Sequence, residues 1–297
     1  MMSTILSRDE IVVKVFNNNI VLVNSEDIEK ILFAVGIGFG KKPGSVIPKG
    51  TSINKVFIIE EKENINNLKE LVKVIDSEFF AACEEAIYEV SNMVDEELNE
   101  RIHISLIDHL FFAIKRLKND EKIENPFLIE TQTLYSKEYN LAKLVAKMIE
   151  NHSNVEIPDG EIAFIALHIH SALNDGKISN TIKNTNLISE IVEYVEGKLD
   201  CKIYKDSLDY ARFCTHVKFA IQRIMSNNTI DNDLTKIIKE TYKESYIISE
   251  GIGRIIEKNI GISVTDDEIS CLTIHVERFR MNQKNKCQNI YIHEEMC

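Results

Sequence analysis

The chain has 297 residues, 44% of them hydrophobic, and a formal net charge of −12, which fits two or three domains with proper cores and excludes a disordered polymer. No stretch approaches the roughly 20 apolar residues that span a bilayer, and the start MMSTILSRDE lacks the basic end and apolar run of a secretory signal, so no membrane insertion and a cytoplasmic location are expected. Six cysteines (Cys83, Cys201, Cys214, Cys271, Cys287, Cys297) are scattered without a C-x-x-C pair, against a zinc ribbon or a disulfide framework and in favour of reduced thiols.

Residues 11–23 (IVVKVFNNNIVLV) are two β-branched runs broken by Asn17, Asn18 and Asn19. Asparagine tolerates positive φ, so the segment predicts a hairpin. Lys30–Val35 predicts a further strand, Gly36–Gly44 (GIGFGKKPG) a glycine-rich turn, and Ile53–Ile59 a last strand. Gly36, Gly38 and Gly40 do not make a dinucleotide fingerprint, because the spacing is wrong and no helix follows. Residues 1–63 are therefore expected to form a small all-β domain. A domain this small buries only about 60% of its unfolded surface, and dimerisation is one way to complete its core.

The acidic balance argues against nucleic acid only until its distribution is read. Residues 1–63 carry eight Lys/Arg and eight Asp/Glu, so the whole excess lies in 64–297. Between Glu10 and Ile58, six basic residues stand against four acidic ones. A nucleic-acid contact belongs there and depends on shape and hydrogen bonding more than on charge.

The charged segment Glu60–Glu70 (EEKENINNLKE) reads as a linker, Leu71 to about Leu173 as helical, Asn174–Asn186 (NDGKISNTIKNTN) as a second linker, and Leu187–Arg280 as helical again. Residues after Met281 fit no pattern and read as a loose tail. The expected organisation is multidomain: an all-β domain over 1–63, then two duplicated all-α helical bundles over 71–176 and 185–281, and a tail over 282–297.

The duplication is direct. His109, Phe112, Ala113, Ile114 and Arg116 match His216, Phe219, Ala220, Ile221 and Arg223 at a constant offset of 107. Glu161, Ile162 and His168 match Glu268, Ile269 and His275, and Tyr135 and Tyr139 match Tyr242 and Tyr246. Each copy therefore holds two histidines 59 positions apart. Such self-similarity fixes the architecture and singles out four of the eight histidines.

Residues seven apart return to nearly one helix face. Glu161, His168 and Ser171 form one stripe, and Glu268, His275 and Arg278 its counterpart. A single histidine on such a helix is most often structural, and duplication copies core residues too. Two functional chemistries remain. Metal binding suits neutral imidazole, but no H-x-x-x-H or E-x-x-H spacing supports it. Phosphoryl acceptance needs a partly exposed imidazole and a nearby cation, and Arg116 and Arg223 are the candidates for pairing with that group. His103, His152, His170 and His293 lack counterparts and read as surface or structural.

KVFNNN (Lys14–Asn19), GIGFGKK (Gly36–Lys42), SLIDH with FAIKR (Ser105–Arg116), FIALHI (Phe164–Ile169), FCTHVKFAIQR (Phe213–Arg223) and LTIHVER (Leu272–Arg278) together resemble the BglG-type (BglG/SacY/LicT) transcriptional antiterminators over about residues 11–281. The resemblance implies an N-terminal co-antiterminator RNA-binding domain that works as a homodimer and holds a leader RNA hairpin, so that an overlapping terminator cannot form. It implies two phosphotransferase-system (PTS) regulation domains. In the scheme the resemblance implies, enzyme II typically phosphorylates the first and inactivates the protein, and HPr typically phosphorylates the second and activates it. His109 and His168, then His216 and His275, are the implied phosphorylation sites. Lys14, Asn17, Asn19 and Phe39 are the implied RNA-binding residues, through phosphate, base-edge or 2′-hydroxyl, and stacking contacts. On the residues alone, Asn17–Asn19 could serve only as a turn and Phe39 as core. No cofactor, no metal and no enzymatic activity are implied.

The chain also departs from the family pattern. Where the family carries glycine and then a basic residue before the glycine turn, Ala34 and Val35 stand here. One cationic RNA contact is thus missing. A rival reading is a PTS-phosphorylated interaction protein with weak or lost RNA binding.

Overall fold

The computed structural model describes residues 4–25, 28–121, 123–174 and 177–294, with 283–294 as backbone alone. The chain forms two compact units. One contains the residues up to Asn125 plus Lys137–Ile178; the other contains Pro126–Ser136 plus the residues from Ser179 onward.

The first unit opens with strands β1 (Thr4–Ile5), β2 (Glu10–Val15), β3 (Ile20–Ser25), β4 (Ile28–Phe33), β5 (Val46–Ile47), β6 (Ser52–Ile53) and β7 (Lys55–Ile59). Five of them make an antiparallel sheet in the order β5-β2-β3-β4-β7, and β1 pairs with β6. The β2–β3 hairpin turns at Asn17–Asn19 as its sequence predicts, with a register shift between Val12 and Lys14. Ile20 to Val23 are all buried rather than alternating, because the sheet is covered on both faces. One face packs Val12, Val21, Val23 and Leu32 with Leu6, Ile37, Ile47 and Ile53. The other meets helices: Phe16 stacks on Phe80 at 4.1 Å, Phe33 on Tyr88 at 5.1 Å, and Phe57 lies 4.5 Å from the His103 ring. Helices of the same chain thereby help to complete the core of a domain too small to bury its own surface.

Those helices are α1 (Lys62–Val74), α2 (Ser77–Met93) and α3 (Ile102–Lys118). The charged segment expected as a linker is mostly α1, because Ile65, Leu68 and Leu71 recur on one buried stripe beneath its charges. Asp76 caps α2 by accepting from the Phe79 amide at 2.8 Å. Helix α4 (Leu128–Leu134) leaves this group, and α5 (Ser136–Ser153) and α6 (Asp159–Leu173) complete it.

Although α4 lies inside the stretch expected as the first bundle, it belongs to the second unit. Its fully buried Glu130 accepts from the Tyr210 hydroxyl at 2.7 Å and from Lys205 at 3.0 Å, and Leu134 packs on that unit's core. A buried carboxylate must find such partners, and these lie about eighty positions along the chain.

The rest of the second unit is α7 (Ile178–Leu199), α8 (Leu208–Met225), α9 (Thr235–Thr241), α10 (Lys243–Ile260) and α11 (Asp266–Glu294). Helix α7 overruns the expected second linker, since its Thr181, Thr185 and Leu187 are buried. The core gathers Ile188, Ile191, Phe213, Val217, Ile252 and Leu272, among others. Gly261, at φ 79°, ends α10 in the left-handed conformation that glycine adopts without strain. The backbone of α11 carries on to Glu294, into the segment expected as a loose tail. That segment has neither glycine nor proline to stop a helix. No described helix is long and apolar enough to cross a membrane.

Candidate functional site

The tip of the β2–β3 hairpin and the glycine turn form one surface. Asn17 Oδ1 accepts from the Asn19 amide at 2.8 Å, and Asn19 Oδ1 accepts from the Gly36 amide at 3.0 Å. Gly38 donates to the Asn18 carbonyl at 2.9 Å, and a Cβ at Gly38 would stand 2.2 Å from the Asn17 carbonyl oxygen. Only glycine allows that approach. Phe39 is 76% exposed rather than core, and Val35, in place of a basic residue, is 91% exposed. The asparagines therefore build the turn, and Phe39 is presented to solvent beside it.

Lys14 and Asn17 also face inward. Lys14 Nζ donates to the Val72 carbonyl in α1, and Asn17 Nδ2 donates to Glu85 in α2 at 2.9 Å. Burial pulls the Lys14 pKa down, against the opposing charge of Asp76.

In the first bundle, α3 and α6 bring His109 and His168 together, ring centroids 5.1 Å apart. His109 Nε2 lies 3.1 Å from Glu161 Oε2, without hydrogen-bond alignment, while Arg116 donates to Glu161 Oε1 at 2.9 Å. Burial alone would raise the Glu161 pKa, but His109 and Arg116 outweigh it and hold the carboxyl below its ordinary range. His168 is 9% exposed, with Nδ1 3.2 Å from Ser105 Oγ. Burial, then the charge of His109, hold it well below the usual histidine range.

In the second bundle, α8 and α11 place His216 and His275 in a closer stack, 4.1 Å between centroids and 29° between planes. Arg223 holds Glu268 through two bonds, from Nε at 2.7 Å and Nη2 at 2.6 Å. Burial, then Arg223 and Arg278, lower the His216 pKa. Burial, then His216 and Arg278, bring His275 down to about 4. A neutral imidazole keeps the ring lone pair that attacks phosphorus.

The same two structural parts are recognised by family models. A CAT RNA-binding domain matches residues 11–66, and a PRD domain matches twice, over 84–172 and 189–279. Protein GlcT of Staphylococcus saprophyticus is 34% identical over 93% of this chain and 99% of its own length. Protein GlcT of Staphylococcus aureus is 35% identical over 92% of this chain and 98% of its own. The chain belongs to the BglG-type antiterminators. A crystal structure of GlcT CAT-PRDI, 43% identical, covers 56% of this chain and 98% of that one with a TM-score of 0.48. This antiterminator thus has the parts of a PTS-regulated RNA-binding regulator: one CAT domain and two PRD domains.

Within the antiterminator the residues singled out by sequence fall into three groups. His109 with His168 and His216 with His275 are juxtaposed as pairs. Arg116 and Arg223 are held by Glu161 and Glu268, carboxylates that are 1% and 0% exposed. Lys14, Asn17, Asn19 and Phe39 share the β-domain's hairpin and turn, with two of them tied to the helices. Among the unmatched histidines, His103 pairs with Glu84 at 2.9 Å in the core, and His170 with Glu138 at 2.8 Å; the side chain of His293 lies outside the described residues. Arg212 was missed by the motif reading, although the repeat itself marks it: position 105 of the first copy is serine and its counterpart 212 is arginine. Among the described residues no group of histidine, cysteine and acidic side chains is arranged to hold a metal.

Proposed function

We propose that this chain acts in the cytoplasm as a homodimeric antiterminator of a sugar-utilisation operon. It binds a leader RNA hairpin that excludes a terminator, and phosphoryl transfer from enzyme II and HPr to His109, His168, His216 and His275 sets its activity. The observation that carries this reading is the pairing of histidine rings at equivalent places in both helical modules of a chain that also presents a CAT-type hairpin and turn. The donors supply the chemistry, and the protein itself is not an enzyme.

A phosphoryl group adds about −1.5 to −2 charges at neutral pH. Around a two-fold axis one such group per chain appears on both sides of the interface, and like charges there shift the dimer equilibrium. His216 is exposed and His109 and His275 partly so, whereas His168 is buried, so the more accessible member of each pair is the one on α3 or α8.

The test uses the full chain and the leader hairpin ahead of the neighbouring sugar operon, with a scrambled hairpin as control. Specific binding that responds to incubation with phosphorylated HPr supports the reading. Equal binding to both hairpins refutes it. In cells, His109→Ala should make antitermination independent of the inducing sugar.

A further inference from the structure

We propose that Arg212 and Arg278 clamp the phosphoryl group carried by the His216–His275 pair, giving the second module a phosphate-holding function that the first module lacks. This rests on the histidines being phosphoryl acceptors. The two modules are copies, so the differences between them at the site are informative. Position for position, Ser105 and Ser171 of the first are Arg212 and Arg278 of the second, and Asp108 is Thr215. Arg212 precedes His216 by four residues on α8, and Arg278 follows His275 by three on α11, so each arginine shares a face with its histidine.

The two guanidinium groups converge. Asp209 Oδ1 lies 3.8 Å from Arg212 Nη1 and 3.9 Å from Arg278 Nη1, while its other oxygen accepts from Asn282 at 3.0 Å. Both ion pairs are loose and the arginine side chains are 56% and 47% exposed, so they can turn onto a stronger anion at little cost. Arg223 cannot be spared in that way, because releasing it would strand the buried Glu268. The second site thus sets three guanidinium groups, Arg212, Arg223 and Arg278, against two carboxylates, Asp209 and Glu268. The first sets only Arg116 against two, Glu161 and Asp108. A dianion is held more strongly at the second site than at the first. The positive charges of Arg278 and, more weakly, Arg212 both act to lower the pKa of His275. A guanidinium fork matches phosphoryl oxygens in geometry.

In the transfer, the lone pair of an imidazole nitrogen forms the new N–P bond as the donor's P–N bond breaks. The bonding electrons leave with the donor nitrogen, which takes up the proton that the acceptor ring gives up. With phosphoramidate as a small donor, that nitrogen departs as ammonia.

The full-length chain is phosphorylated with phosphoramidate, the donor is removed, and the decay of phosphohistidine is followed peptide by peptide by mass spectrometry. The second-module signal should outlast the first by at least about fivefold. In the Arg212→Gln/Arg278→Gln variant it should fall to the first-module rate, while an unmoved calorimetric transition of the second unit shows that the altered module is folded. The reciprocal Ser105→Arg/Ser171→Arg variant should lengthen the life of the first-module group. An unchanged second-module lifetime in the glutamine variant overturns the clamp while leaving the acceptor reading intact. No phosphohistidine anywhere in the unaltered chain overturns both.

Discussion

Asn17 donates its side-chain amide to Glu85 at 2.9 Å, which ties the tip of the β2–β3 hairpin to helix α2 of the first helical module. The same tip carries side chains expected to touch RNA, so the helix and the RNA draw on one donor. Glu85→Ala removes the competitor without touching the hairpin. A hydrogen bond to a charged group contributes about 1.5–3 kcal/mol. Hairpin affinity of the full chain should therefore rise roughly tenfold or more in a filter-binding or anisotropy titration, if RNA recruits Asn17. An unchanged Kd would remove Asn17 from the RNA contacts or the docked contact from control.

Gly38 answers for the shape of that surface. A methyl group there meets the Asn17 carbonyl oxygen at 2.2 Å, and backbone cannot swing aside as a side chain can. Gly38→Ala should cost about 1–3 kcal/mol through overpacking and should weaken RNA binding by distorting the turn beneath Phe39. Circular dichroism melts and the same RNA titration check both effects.

The second histidine pair should leave its mark on acid stability. Burial and neighbouring positive charge bring His275 down to about 4, against about 6.5 for an unfolded histidine. As pH falls the unfolded chain takes up the proton first. The contribution to stability is therefore complete above about 6.5, shrinks between 6.5 and 4, and stays at its reduced value below. Allowing for partial exposure, the change is on the order of 2 kcal/mol. His275→Gln should flatten the dependence of melting temperature on pH in that window; an identical profile in the variant would contradict the assignment.

His103 and Glu84 form a buried pair at 2.9 Å, 1% and 0% exposed, where the β-domain meets α3. Removing one partner leaves the other without compensation in the core. Glu84→Ala should cost about 3 kcal/mol and lower the melting temperature of the first unit by roughly 5–10 °C. Calorimetry of the full chain should show the second unit's transition unmoved.

The hairpin, the glycine turn and the two histidine pairs were legible because each is written in local spacing or in direct repetition. Most of α1 and the start of α7 read as linkers because charged and polar residues dominate those stretches, while the stripe of Ile65, Leu68 and Leu71 that buries α1 is sparse. The membership of α4 in the second unit was out of reach. Glu130 is satisfied by Tyr210, eighty positions away, and no local pattern announces that bond. Likewise Arg116 and Arg223 stand at the right spacing for their histidines, but the carboxylates that hold them lie 45 positions off. Motif spacing found the histidine pairs. Only three-dimensional charge pairing showed which cations are already committed.

Helix α3 carries His103, against Phe57 of the β-domain, and six residues later His109, beside Glu161. The β-domain contact and the histidine pair therefore share one continuous helix, about 9 Å apart along its axis. Such a helix sets phase as well as distance. One residue inserted between the two histidines would turn one against the other by about 100° and break the register of both sites together. The count of residues separating His103 from His109 thus fixes the angle between the β-domain contact and the histidine pair.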